Sequence, residues 1–143
     1  MGVTWDDLTE GTKTEPREFG PLTRTDFVRY QGASGDFNPI HHDEQFAQSA
    51  GFPTVFSVGM LQAGYLATYA TDLLGVDAVR RFRVRFREQV WPGDVLTCAG
   101  RVSGIGVSDL TGERCVDLEL TLTRQDGSTA ITADATFAVG GTG

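Results

Sequence analysis

Apolar positions change their period part-way along the chain, dividing it into a largely helical first half and a β-patterned second half. Residues 21–30 read Pro-Leu-Thr-Arg-Thr-Asp-Phe-Val-Arg-Tyr, so Thr23 or Thr25 can cap a brief helix whose Phe27, Val28 and Tyr30 supply apolar contacts. Over 31–39 the chain then collects Gly32, Ser34, Gly35, Asp36, Asn38 and Pro39, whose backbone preferences predict a loop. A second short polar helix is expected around 43–50, broken by Gly51 and Pro53. The apolar stretch 55–74 predicts a largely buried helix from near Gly59 to near Gly75, with Ala63, Gly64 and Ala67 small enough for a sheet to lie close.

Beyond Gly75 the period falls to two. Alternation in Phe82-Arg83-Val84-Arg85-Phe86, a turn at Trp91-Pro92-Gly93-Asp94, and β-rich segments near 95–103, 114–124 and 128–139 predict strands, the last two joined by a hairpin loop at Gln125-Asp126-Gly127. A helix followed by antiparallel strands is an α+β order in which one sheet can wrap one helix. The 143 residues are read as a single domain, 1–143. A domain of that size buries roughly two-thirds of its unfolded surface.

Charge and cysteine usage narrow the function classes. A net charge of −7 argues against general nucleic-acid binding, which relies on a basic face that releases counterions. The positive charge is nonetheless concentrated: Arg80, Arg81, Arg83, Arg85 and Arg87 fall within eight positions. Strand alternation gives these arginines a solvent face, and a local site for a phosphorylated ligand is the functional alternative. Cys98 and Cys115 stand far apart, without other ligands at metal-binding spacing, so neither a disulfide framework nor a metal site is expected. Without a signal-like or membrane-spanning run, a cytoplasmic protein is expected, not inserted in a membrane.

Candidate chemistry concentrates in Gly35-Asp36-Phe37-Asn38-Pro39-Ile40-His41-His42-Asp43. Asp36 and His41 lie five residues apart and can meet if the loop turns back at Asn38-Pro39. A carboxylate and an imidazole converging on one water can hold it, take its proton and return a proton to the adduct. The same residue types also build ordinary turns, and Asn38 in particular suits an Asx turn as well as a substrate contact. Gly59, at the expected helix start, offers a backbone N–H beside a partial positive charge, suited to a developing oxyanion.

The order Gly-Asp-Phe-Asn-Pro-Ile-His followed by Asp closely resembles the signature of the MaoC-like dehydratases, also called R-specific enoyl-CoA hydratases. The resemblance runs from Pro21 through Gly59-Met60 and Val84-Arg85-Phe86 to the closing strands, and is greatest to single-domain members such as the catalytic subunit of mycobacterial fatty-acid dehydratases. It implies a hotdog fold, an antiparallel sheet wrapped around a central helix. The implied reaction is reversible hydration of trans-2-enoyl thioesters to (R)-3-hydroxyacyl thioesters in lipid metabolism.

On this resemblance Asp36 and His41 are catalytic, His42 lies outside the motif position, and Gly59 is the oxyanion donor. Asn38, Val58 and Arg85 are substrate-binding candidates. Val58 stands where members commonly have histidine, which points to a different acyl pocket, and Ala67 stands where some carry serine. Arg85 is expected near carrier phosphates or the active-site backbone. No metal or redox cofactor is implied, since coenzyme A or acyl carrier protein belongs to the substrate. The expected assembly is a homodimer with joined sheets, or a heterodimer with a second chain of this fold. Alternatives are a hotdog acyl thioesterase and a non-catalytic partner subunit of a heteromeric dehydratase.

Overall fold

The long apolar stretch forms helix α3, Gly59–Leu74, in a computed structural model that describes residues 5–140. Its buried side chains, Gln62, Ala63, Leu66, Tyr69 and Ala70, recur at helical spacing and make one stripe. Burying a side chain such as Leu66, which is wholly inaccessible, contributes about 1.5–3 kcal/mol. Ala63 lies in this stripe, whereas Gly64 faces solvent and does not serve the close packing expected of it.

Five antiparallel strands cover that stripe: β1 (Arg17–Phe19), β2 (Val79–Phe86), β3 (Leu96–Val107), β4 (Arg114–Thr123) and β5 (Thr129–Ala138), in the order β1-β3-β4-β5-β2. In β4 the buried Val116, Leu118, Leu120 and Leu122 alternate with Asp117, Glu119 and Thr121, so one face meets the helix and the other meets solvent. The pattern recurs in β5, where Ile131, Ala133, Ala135 and Phe137 are buried. Helix α3 thus lies against a sheet whose inner face is apolar, the α+β hotdog arrangement.

Two departures from the sequence expectation have local causes. Strand β3 runs on to Val107 because its register with β4 shifts between Val102 and Gly104, an irregularity that absorbs Ser103 without ending the ladder. Strand β1 has only three residues, too few to show alternation, and is held by its pairing with β3.

Helix α1, Arg24–Ser34, starts at Thr23, whose hydroxyl accepts from Asp26 N–H at 3.1 Å while the Asp26 carboxylate accepts from Thr23 N–H at 2.8 Å. It continues through Gln31 to Ser34, further than its glycine and serine content suggests. Gly32 and Ser34 are exposed, and Gln31 is buried on the inner side. Gly35 ends the helix at φ 78°, a left-handed backbone that favours glycine. A 3-10 turn at Pro39–His41 and helix α2, Glu44–Ser49, follow; Asn38 and Asp43 cap them through their side chains.

The turn between β2 and β3 is tied to the β4–β5 hairpin through Asp94, which is 3% exposed. Its carboxylate accepts from Arg124 Nε at 2.7 Å, Gln125 Nε2 at 2.8 Å and Trp91 N–H at 2.8 Å. Burial by itself would raise the Asp94 carboxyl, but the bonds from Arg124, Gln125 and Trp91 outweigh it and hold the group below its ordinary range. A carboxyl depressed on folding contributes stability above its unfolded pKa and loses it as pH falls through the folded value. Asp94→Ala should therefore cost about 1.5–3 kcal/mol near neutral pH, as read by urea unfolding, because Trp91 N–H and Gln125 lose a buried charged acceptor while Arg124 keeps Asp126. Asp94→Asn should lose less, and its stability should fall less steeply than the wild type's as pH drops below about 4.

Candidate active site

Three elements meet at a cleft of about 210 Å³: the turn carrying His41, the segment from Phe56 to the N-terminus of α3, and the end of β2. Aromatic contacts anchor Phe56, whose ring lies 4.8 Å from Phe52 and 5.8 Å from Trp91, and meets the His41 ring edge-on at 5.2 Å. The neighbouring Ser57 N–H donates to Val90 O at 2.8 Å. These contacts fix the Phe56 carbonyl, and His41 Nδ1 lies 2.7 Å from it.

A carbonyl oxygen can only accept, so Nδ1 carries the hydrogen. In neutral His41 the lone pair is then on Nε2, the nitrogen left for a ligand. His41 is 8% exposed and lines the cleft, as do Gly59, Ser57 and Gln62.

The helix start is open to a ligand. Val58 occupies the cap position and makes no side-chain cap bond, unlike Thr23 and Asp43 at the starts of α1 and α2. The early amides of α3 therefore keep donor capacity and the positive end of the helix dipole. A methyl on Gly59 would come within 3.1 Å of the Phe86 ring, which closes this side of the cleft.

The remaining sequence candidates are distributed differently. Asp36 and Asn38 are exposed on the loop after α1. The Asp36 carboxylate accepts from Asn38 N–H at 3.3 Å and Asn38 Oδ1 from Ile40 N–H at 3.0 Å, so Asn38 holds the turn. Among the described residues no hydrogen bond joins Asp36 to His41. Val58 is 3% exposed and does not line the cleft, because its side chain points into the protein interior.

Arg85 also lies away from the cleft. Arg81, Arg83, Arg85 and Arg87 are exposed, while Phe82 and Val84 pack on the core, as alternation requires. Arg83, Arg85 and Arg87 line a separate groove on the outer face of the sheet. Arg87, at the strand's end, reaches both the groove and the cleft.

Sequence reasoning missed Ser57, Gln62 and Phe86 at the cleft, and Gln31 beside the loop. Gln62 and Gln31 carried a usable signal, each being a polar residue on the apolar stripe of its helix. Ser57 Oγ donates to Gln62 Oε1 at 2.5 Å, an arrangement no spacing rule announces.

The sequence model of a family described as "MaoC like domain" matches residues 7–125, most of the chain. The chain belongs to this MaoC-like family. It is 31% identical over 103 residues to an (R)-specific enoyl-CoA hydratase of Rhodospirillum rubrum, a match covering 71% of this chain and 70% of that enzyme. A 66-residue match, 38% identical, falls in a peroxisomal multifunctional enzyme type 2 of Mus musculus and covers 44% of this chain but 9% of that protein. The solved MaoC-like dehydratase of R. rubrum superposes with a TM-score of 0.85 over 99% of both chains at 18% identity. The MaoC-like motif segment 35–43 thus contributes His41 directly to the cleft and Asp36 to the adjoining loop.

The contact between Gly59 and Phe86 can be tested by a double-mutant cycle. Gly59→Ala should be more favourable, or less unfavourable, by about 1 kcal/mol in a Phe86→Ala background than in the wild type, measured by urea unfolding. Additive effects would show that Phe86 does not crowd the start of α3.

Proposed function

We propose that this MaoC-like chain catalyses reversible hydration of trans-2-enoyl thioesters to (R)-3-hydroxyacyl thioesters, with Asp36 and His41 sharing the reacting water. The observation that carries this reading is the bond from His41 Nδ1 to the Phe56 carbonyl, which leaves Nε2 as a base in the cleft containing Gly59. During hydration a water O–H breaks as its oxygen bonds to C3, negative charge gathers on the thioester oxygen, and a proton is delivered to C2. The Asp36–His41 pair supplies the proton transfers, and the first amides of α3 bind the developing oxyanion. Carboxylate and imidazole act on the water and need no bond to each other. The named activity of the R. rubrum relative supports the same reaction class.

The thioester carrier is coenzyme A or an acyl carrier protein, and it enters as part of the substrate. A second copy of the chain, or a related chain, is assigned to the open edge of β2, the last strand of the sheet. The carrier phosphates are assigned to Arg87 and Arg85, because Arg87 connects the cleft with the groove that Arg85 lines.

Purified protein should hydrate crotonyl-CoA, followed by loss of the enoyl absorbance. Asp36→Asn and His41→Ala should each lower kcat by at least about 10²-fold with unchanged far-UV circular dichroism. His42→Gln should stay within a few fold. Wild-type turnover in a folded Asp36 or His41 variant would exclude that residue from the chemistry.

The carrier assignment has its own test. Arg87→Ala, and to a smaller extent Arg85→Ala, should raise KM for crotonyl-CoA more than they lower kcat, since a phosphate contact is alike in ground and transition states. The N-acetylcysteamine thioester lacks those phosphates and should be turned over equally by variants and wild type. An equal loss on both substrates would assign the arginines to the acyl end of the site.

A further inference from the structure

We infer that Gln31, on α1, is the positioning residue of the loop that carries Asp36 and His41, an inference that rests on the hydration reading. Its side chain is buried, 2% exposed, and makes three hydrogen bonds. Nε2 donates to Asp36 O at 2.9 Å and to Asn38 O at 2.9 Å, while Oε1 lies 2.9 Å from His42 Nδ1.

The polarity of this network is forced. Both loop carbonyls are acceptors, so the amide NH₂ must face them. The amide oxygen therefore faces His42, and a hydrogen bond there requires the proton on His42 Nδ1. Both amide donors are used on backbone two residues apart, on either side of Phe37, whose ring is turned outward and is 65% exposed.

Most other bonds of the loop are internal to it or to its flanks. Asn38 N–H donates to Asp36 Oδ1, Ile40 N–H to Asn38 Oδ1, His41 N–H to Asn38 O, and His42 N–H to Pro39 O. These shape the turn but do not locate it relative to the rest of the protein. Among the hydrogen bonds of the described residues, two anchors do: the His41 ring on Phe56 O, and the Gln31 amide on Asp36 O and Asn38 O. Asn38 O also accepts from His41 N–H, so the amide of Gln31 and the backbone of His41 converge on one oxygen. Gln31 thus sets the Asp36 side of the pair as Phe56 sets the His41 side.

Since residues 36 and 38 are exposed, water can replace the lost donors when Gln31 is changed, and the fold should survive. What is lost is the location of the loop, and misplacing a catalytic group by about 1 Å costs on the order of 10²-fold in rate. Two variants separate the bonds. Gln31→Met keeps the length of the side chain and removes all three; Gln31→Glu keeps an acceptor for His42 and removes both donors to the loop.

The experiment combines crotonyl-CoA kinetics well below the melting temperature with nitrogen-15 NMR of the histidine rings and amide exchange across residues 36–43. Both variants should lower kcat by roughly 30- to 100-fold with KM within about threefold, and should speed exchange in the loop. His42 should hold its Nδ1–H tautomer in wild type and Gln31→Glu and lose it in Gln31→Met. His42→Gln, which keeps a donor toward Oε1, should retain near-wild-type kcat.

A Gln31→Glu enzyme with wild-type kcat overturns the inference, since the loop bonds would then be dispensable. So does a loss of kcat that merely follows the unfolded fraction. If Gln31→Met fails to fold, Gln31→Glu decides the matter alone. If wild-type protein does not hydrate the substrate, the hydration reading fails, and the exchange data still judge the positioning: unchanged exchange in both variants overturns it.

Discussion

One apolar helix has to be hidden from water, and that constraint organises the molecule. The stripe of α3 that includes Leu66, Tyr69 and Ala70 is covered by strands whose inner residues are apolar, leaving the outer face to Asp117, Glu119, Asp134 and the arginines of β2. The N-terminus of α3 meets the end of β2 at Phe86 together with the loop segments that precede the helix. A site built there inherits a dipole and free amide donors from the helix without further residues being recruited.

Fixed acceptors then decide how the histidines are used. His41 and His42 are neighbours in sequence and carry the same group, but each Nδ1 faces an oxygen and each Nε2 is consequently left for other contacts. The difference lies in placement. His41 is buried, and its partner is a carbonyl anchored by Phe52 and Trp91 at the cleft; His42 is exposed, and its partner is the Gln31 amide behind the loop. Under the hydration reading, the first arrangement presents a base and the second helps hold the loop in place.

Much of this was legible in the sequence. The boundaries of α3, a threonine cap at Thr23 or Thr25, the Asp43 helix and the alternation of β2 all follow from local chemistry, which also places Gly59 near the helix start; the structure selects Thr23. Long-range geometry was not legible. The face on which Arg85 lies can be tied to the helix only once β2 is paired with β5, and the burial of Val58 is set by tertiary packing that its local sequence does not announce. The glycines and serine that follow Gln31 predict a loop beginning at that residue. The exposed positions of Gly32 and Ser34 let the helix continue, and that extension brings the amide under Asp36 and Asn38.

The missing cap on α3 follows from the same division between fold and site. A Ser, Thr, Asp or Asn at position 58 would satisfy one of the first amides and stabilise the helix by about 1 kcal/mol. Under the hydration reading its oxygen would also sit where the developing oxyanion is received. Thr23 and Asp43 show that the other two α-helices among the described residues are capped at their starts by side-chain oxygens. Val58 instead contributes its side chain to the interior and leaves those donors unclaimed. Stability forgone at the start of α3, where α1 and α2 are both capped, is under the hydration reading the pattern expected when the donors are kept for a bound oxyanion.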